Sequence, residues 1–280
     1  MLKNDNKLLQ QAYKDHWAIG AFHASNLETT QAIIEAAEEL QSPVIVQTSE
    51  KEIDYAGLHE LASLVLSLAS HARIPVLLHL DQGHSFDIAE RCVAEGYTGL
   101  TRDGSSLSFE QNCKETKRVV ALGHAHAISV EGVLGGRDNE EDSTDIQEVF
   151  TRPDDPRRFV ELTGVDFFAP AIGIMYKNNA VARVNIDTLR AVRRDIDGVP
   201  LVLRSCPKVP DRDIITSIRS GVAKVIVGSE LRYVFSESLR HNLSDHASVY
   251  DPRGILGPAK DAVKAVVKEK IILFGSSGKA

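Results

Sequence analysis

The chain has 280 residues, 43% of them hydrophobic and 25% charged, with a formal net charge of -7. A chain of that length buries a large core without a disulfide or structural metal to staple it, and its acidic balance excludes general nucleic-acid binding, which needs a basic face. Cys92, Cys113 and Cys206 stand far apart with no CxxC pair, so reduced thiols in a cytoplasmic protein are expected.

Residues 1–17 are polar and charged, unlike a secretory signal peptide. No apolar run approaches the roughly 18 residues of a membrane span. Short runs rich in Val, Ile and Leu then predict strands at 19–22, 44–48, 76–80, 98–102, 127–130, 167–171, 201–203 and 224–227. They lack polar–apolar alternation, as strands buried on both faces do. Helical patterns fall between them, at 27–40, 58–69, 86–94, 109–122 and 186–194. Strand–helix units in such a series predict a single α/β domain, a (β/α)8 TIM barrel over residues 1–280. A polar, acidic loop at about 134–156 follows the fifth strand, and a C-terminal helix is predicted at about 254–272. A loop that long in a compact domain is usually functional.

In such a barrel the chemistry sits at the C-terminal ends of the strands. The blocks AIGAFHASNLE, SPVIVQTSE, IPVLLHLDQGHSF, GYTGLTRDGSSLSFEQN, ISVEGVLGG, TGVDFFAPAIG, VPLVL, SGVAKVIVGSELR and VVKEKIILFGSSGKA run in order over nearly the whole chain. Together they resemble the class II ketose-bisphosphate (fructose-bisphosphate) aldolases. The resemblance implies a lyase of carbohydrate metabolism that cleaves a ketose phosphate by a retro-aldol reaction, with zinc polarising the ketone. It implies a homodimer or homotetramer. Three histidines hold zinc in the family. The matching positions here are Gln82, Tyr176 and Arg204, so the sequence reads as a divergent member lacking them. An amide, a phenol and a permanent cation make a poor zinc set. No cofactor is expected, zinc included. A shifted site from His23, His84 and Cys206 is the remaining route to a metal.

Other family positions survive. Asp81 matches the catalytic aspartate, and Glu141 matches the glutamate that exchanges the enediolate proton. Asn26, Ser49 and the run Asp103–Ser105 match polar positions lining the site. The glycine-rich phosphate loop is replaced by Ser205-Cys206-Pro207-Lys208, which loses backbone N–H groups and close approach. An asparagine is replaced by Ile226, while Gly228 and Ser229 keep a small polar end. Arg102, Lys177, Arg204 and Lys208 bring cations to the mouth.

The expected site thus has Asp81, Glu141 and Arg204 as catalytic groups. Asn26, Ser49, Gln82, Arg102, Tyr176, Lys177, Ser205, Gly228 and Ser229 are the expected substrate contacts, and no residue is assigned to metal. Arg204 needs an anionic partner, an internal acid such as Glu131 or Asp103, or a substrate. Three functions stay open. The first is an enzyme acting on a phosphorylated or carboxylated sugar through an enolate-type intermediate without zinc, by aldol cleavage, isomerisation or dehydration. The second is a conventional aldolase with a displaced metal. The third is a non-catalytic relative that binds a ligand or partner. In the first, fructose-bisphosphate cleavage is expected to be weak or absent.

Overall fold

The computed structural model describes residues 5–135, 137–138, 147–148, 155–172, 183–204 and 209–280. Eight parallel strands close into a barrel: β1 (Ile19–His23), β2 (Val44–Ser49), β3 (Val76–Gly83), β4 (Gly99–Asp103), β5 (Ser129–Leu134), β6 (Phe167–Pro170), β7 (Leu201–Arg204) and β8 (Val222–Val227). Each strand pairs with its neighbours in sequence, and β8 returns to β1. This is the TIM barrel that the sequence predicts.

Among the described residues, eleven helices accompany the strands: α1 (Asp5–Asp15), α2 (Leu27–Glu39), α3 (Glu50–Ala56), α4 (Leu58–His71), α5 (Phe86–Ala94), α6 (Phe109–Ala125), α7 (Asp155–Thr163), α8 (Ile186–Asp195), α9 (Asp211–Arg219), α10 (Ser229–Asp245) and α11 (Pro252–Phe274). Within the span expected to be loop, Arg137–Asp138 and Gln147–Glu148 form a short antiparallel ladder.

Side chains alternate across each strand, and the two faces build two cores. Outward residues such as Val46, Leu78, Leu100 and Val225 pack under the helices. Inward residues Ile19, Ile45, Leu77, Val133, Phe167, Val202 and Ile226 fill the barrel, and Leu9, Ala12, Tyr13 and Trp17 from α1 and the turn after it join this inner cluster. The same alternation carries His23, Ser49, Asp81, Asp103 and Arg204, the inward residues nearest the strand ends, to the mouth.

Two of the departures from the expected strand bounds matter for the site. The fifth strand starts at Ser129 rather than 127. Ala127 takes a left-handed φ of 56° where α6 ends, and the Ile128 N–H bonds back to the Gly123 carbonyl. That leaves Glu131 inside the strand rather than at its mouth end. The third strand runs on to Gly83. Its register to β4 slips between Leu80 and Gly83, with Gln82 at a φ of 51°. This is the local signature of a bulge, a device that re-aims side chains next to sites.

Candidate active site

Asp81 lies on the bulged end of β3 and is almost fully buried. A buried carboxylate needs partners, and Asp81 has cations on both oxygens. Arg204 Nη2 from β7 lies 3.3 Å from Oδ1, and His23 Nε2 from β1 lies 3.2 Å from Oδ2. The other face of each cation is also engaged. Arg204 Nη2 is 3.5 Å from Asp103 Oδ2 on β4. His23 Nδ1 is 3.3 Å from Glu52 Oε1 on α3.

Glu52 is placed by its own helix terminus. Ser49 ends β2 and caps α3, and Glu52, three residues on, accepts the Ser49 N–H at 2.7 Å and the Ser49 hydroxyl. This Ser-x-x-Glu pattern is a capping box. Arg232 of α10 completes the Glu52 environment, 3.4 Å from Oε1.

These contacts fix the protonation states. Burial opposes charge on His23, but its hydrogen bonds to Asp81 and Glu52 and their negative charges prevail and raise its pKa to about 9. Burial would raise Glu52, yet the hydrogen bond and charge of His23 pull it down to about 2. For Asp81 burial is again overcome, by the Arg204 charge and by the hydrogen bond and charge of His23, and its pKa falls well below the usual carboxylate range. Asp81 is therefore an ionised acceptor at neutral pH and a weak base.

One layer deeper, Glu131 pairs with Lys224 of β8 at 2.8 Å, both side chains fully buried. Lys224 Nζ and the Thr101 hydroxyl both approach His79 Nε2, at 3.1 and 2.9 Å. Burial, then the Lys224 charge, holds His79 neutral. Of the two internal acids expected to pair with Arg204, the structure places Asp103 there and gives Glu131 to Lys224. With Glu131 in mid-strand, its carboxylate meets Lys224, and Arg204 turns to Asp81 and Asp103.

Arg102 also departs from expectation. Asp103 and Thr101 point inward, so Arg102 between them points outward. Its Nη1 donates to the carbonyls of Gly83 and Asp103, so it ties strand ends together outside the cation row. Asn26 caps α2, its Oδ1 accepting the Thr29 N–H at 3.0 Å and the Thr29 hydroxyl at 2.7 Å. Gln82 is half-buried beside Asp81. Gly228 precedes α10, and a Cβ built there would come 3.0 Å from His23 Cδ2. Ser229 opens α10 and is exposed. Glu141, Tyr176, Lys177, Ser205 and Cys206 lie outside the described residues. His84 is exposed and pairs with Glu50 at 3.3 Å, and among the described residues no three His, Cys, Asp or Glu side chains converge as a metal site.

The structure thus brings together Asp81, Arg204, Ser49 and Asp103 of the expected positions, sets His23 among carboxylates rather than beside His84, and adds Glu52 and Arg232. The signals were present: Ser49 and Glu52 have capping-box spacing, and His23 closes the first strand on the inward face.

A family model described as fructose-bisphosphate aldolase class-II matches residues 3–279. A fructose-bisphosphate aldolase of Thermus caldophilus is 36% identical over 307 aligned positions, covering 100% of both chains. One of Geobacillus stearothermophilus is 37% identical over 283, covering 98% of this chain and 97% of its own. Among solved structures, the YdjI aldolase of Escherichia coli K12 superposes with a TM-score of 0.89 at 32% identity, with both chains fully covered.

Proposed function

Because the chain belongs to the class II fructose-bisphosphate aldolase family, we propose that it is an aldolase-like enzyme whose mouth stabilises an enolate with protein cations in place of zinc. The substrate is a phosphorylated or carboxylated sugar, and sugar bisphosphates are what the named relatives imply. The observation that carries the reading is Arg204. It ends β7 inside the mouth, 3.3 Å from Asp81 and 3.5 Å from Asp103.

The zinc that the family implies does not fit this donor set. Arg204 cannot ligate a cation and repels one. Gln82 offers a neutral amide. His23 has a carboxylate at each ring nitrogen, so no lone pair faces a metal.

A preorganised guanidinium in a site with little water stabilises developing negative charge on oxygen without reorganising. Arg204 supplies that charge. Asp81, held ionised, orients a substrate hydroxyl by accepting its hydrogen bond. Glu141, on the loop after β5, is the remaining carboxylate for proton exchange. Ser49, Gln82, Gly228 and Ser229 stand at strand ends and a helix start where a sugar would be contacted, and Tyr176, Lys177 and Ser205 are assigned to the substrate from the sequence match alone.

The test is turnover by chelator-dialysed protein on a panel of ketose phosphates and sugar acids, with fructose 1,6-bisphosphate included. Chelator-insensitive cleavage or isomerisation of one member is expected, with weak or no action on fructose 1,6-bisphosphate. Arg204→Met should lower kcat by about 10²–10³-fold, the usual cost of a lost oxyanion donor. Activity that appears only with added zinc overturns the reading. The grip on Asp81 favours one second reading, a non-catalytic relative, because a carboxylate bound by two cations takes up a proton poorly. Tight binding of a panel member without turnover would select it.

A further inference from the structure

The mouth holds a continuous row of charges. From β4 to α10 it reads Asp103, Arg204, Asp81, His23, Glu52, Arg232. Successive contacts are 3.5, 3.3, 3.2, 3.3 and 3.4 Å. All five contacts join side chains from different strands or helices, so the row belongs to the folded barrel and not to one segment.

We propose that His23 is the positioning residue of this site: anchored to Glu52 through Nδ1, it holds one oxygen of Asp81 while Arg204 holds the other, and its imidazolium closes a row of alternating charges that sums to zero. The proposal rests on the reading of this mouth as the active site.

The geometry itself requires the imidazolium. Both ring nitrogens face carboxylate oxygens, which accept and cannot donate. A neutral ring has one N–H and would leave a lone pair against one of the two carboxylates. With both nitrogens protonated, both contacts become charge-assisted hydrogen bonds. The elevated His23 pKa agrees.

The surroundings of the ring point the same way. Asp81 approaches from β3 and Glu52 from α3. Arg204 and Arg232 stand behind those carboxylates, from β7 and α10. The deeper His79 is neutral, and Lys224 there is paired to Glu131. From the end of β8, Gly228 leaves room for the ring, since a side chain there would come within 3.0 Å of it.

The row gives a definite division of labour. Asp81 Oδ1 and Oδ2 each meet a cation, which fixes the plane of the carboxylate and hence the direction of its remaining lone pairs. Removing the proton from His23 would give the row a net negative charge and free Asp81 to rotate. His23 therefore acts through Asp81 and not on substrate.

The test uses the full-length protein with 15N-labelled histidine. Two-dimensional 1H–15N spectra correlate ring nitrogens with ring protons, and the His23 signals are assigned by their loss in His23→Asn. Both ring nitrogens are expected at imidazolium shifts at pH 7, with a titration midpoint near 9. Glu52→Gln, which keeps the shape of the anchor, should lower that midpoint by about one unit or more. Gly228→Ala should displace the His23 ring resonances without removing them.

If the protein turns over any ketose phosphate, the alkaline limb of kcat/KM should follow the His23 midpoint in the unmodified protein and in Glu52→Gln alike, with kcat falling more than KM rises. A neutral-tautomer pattern at pH 7, or a midpoint unmoved by Glu52→Gln, overturns the proposal. So does a pH profile that stays put while the His23 midpoint moves. The spectra decide the state of His23 even if no substrate is turned over, so failure of the enzyme reading and failure of this one are told apart.

Discussion

Replacing Lys224 with Met should destabilise the barrel by about 3–5 kcal/mol, the usual result of removing one partner from a buried ion pair. Lys224 Nζ sits 2.8 Å from Glu131 Oε2 with both side chains fully buried. The second oxygen, Glu131 Oε1, has no hydrogen-bond partner among the described residues. Met fills a similar volume, so the effect isolates the charge. The Lys224→Met/Glu131→Leu double variant removes both charges and should regain most of the loss, because well-packed apolar replacements of buried pairs are often neutral or stabilising by about 1–4 kcal/mol. Urea midpoints followed by circular dichroism and by the fluorescence of Trp17, the single tryptophan, give the comparison. Trp17 belongs to the inner core, so its emission reports the same cluster. A single variant with an unshifted midpoint refutes the argument, as does a double variant that falls as far as the single.

The alkaline limit of stability should belong to His23. Its pKa rises from 6.5 to about 9 on folding, worth on the order of 3 kcal/mol at about 1.4 kcal/mol per unit. A raised pKa stabilises fully below pH 6.5, and the contribution is lost as pH climbs through 9; thermal midpoints between pH 6 and 10 should fall in that window, and should fall much less in His23→Asn. Glu52 works in the opposite sense, its contribution present above pH 4.5 and lost as pH drops towards 2. Arg102→Ala should cost about 1.5–3 kcal/mol, the value of a hydrogen bond to a charged group, and leave ligand affinity unchanged by calorimetry; a weakened ligand would return Arg102 to the site. Elemental analysis of protein purified without added metal should give far less than one equivalent of zinc, and stoichiometric zinc that survives dialysis would refute the donor-set argument.

The barrel was legible because buried parallel strands read as short apolar runs, and the inward–outward alternation needs only one anchor per strand. Boundaries were less so. Ala127 and Ile128 are apolar and look like strand, but the terminus of α6 claims them through the left-handed Ala127 and the Ile128-to-Gly123 bond. Helix α10 escaped notice because only Leu231 on it is buried, so it carries no apolar stripe to detect. At the site, Asp81 and Arg204 are singled out by the family positions they match, and the structure brings the two together at the mouth. Arg102 was misjudged from its place at a strand end, although counting from the inward Thr101 would have turned it outward. The pairing of Glu52 with His23 and the link from His23 to Asp81 are not legible, because an acidic helix start and a lone histidine gain these partners only when the barrel closes. Pairing is the part no spacing reveals. Whether Glu131 meets Arg204 or Lys224 depends on the depth of each side chain in the barrel, and two residues of strand register decided it.

The row of charges explains why the departures at the mouth belong together. A divalent ion needs free lone pairs converging on it, from neutral imidazoles or from carboxylates not already engaged by cations. Here Asp103, Asp81 and Glu52 are matched one for one by Arg204, His23 and Arg232. Among the described residues the six charges of the row sum to zero. Placing a guanidinium at the end of β7 without a second cation on Asp81 would leave the carboxylates in excess. Placing an imidazole beside Asp81 without Glu52 would leave the ring free to tilt and to lose its proton. Arg204, His23 and Glu52 are therefore mutually dependent, and restoring a histidine at position 204 alone would not rebuild a zinc site. The His23 imidazolium would still occupy Asp81, and Gln82 would still present an amide. In the proposed function Arg204 and His23 supply the positive charge of this mouth, each fixed in place by the strand that carries it.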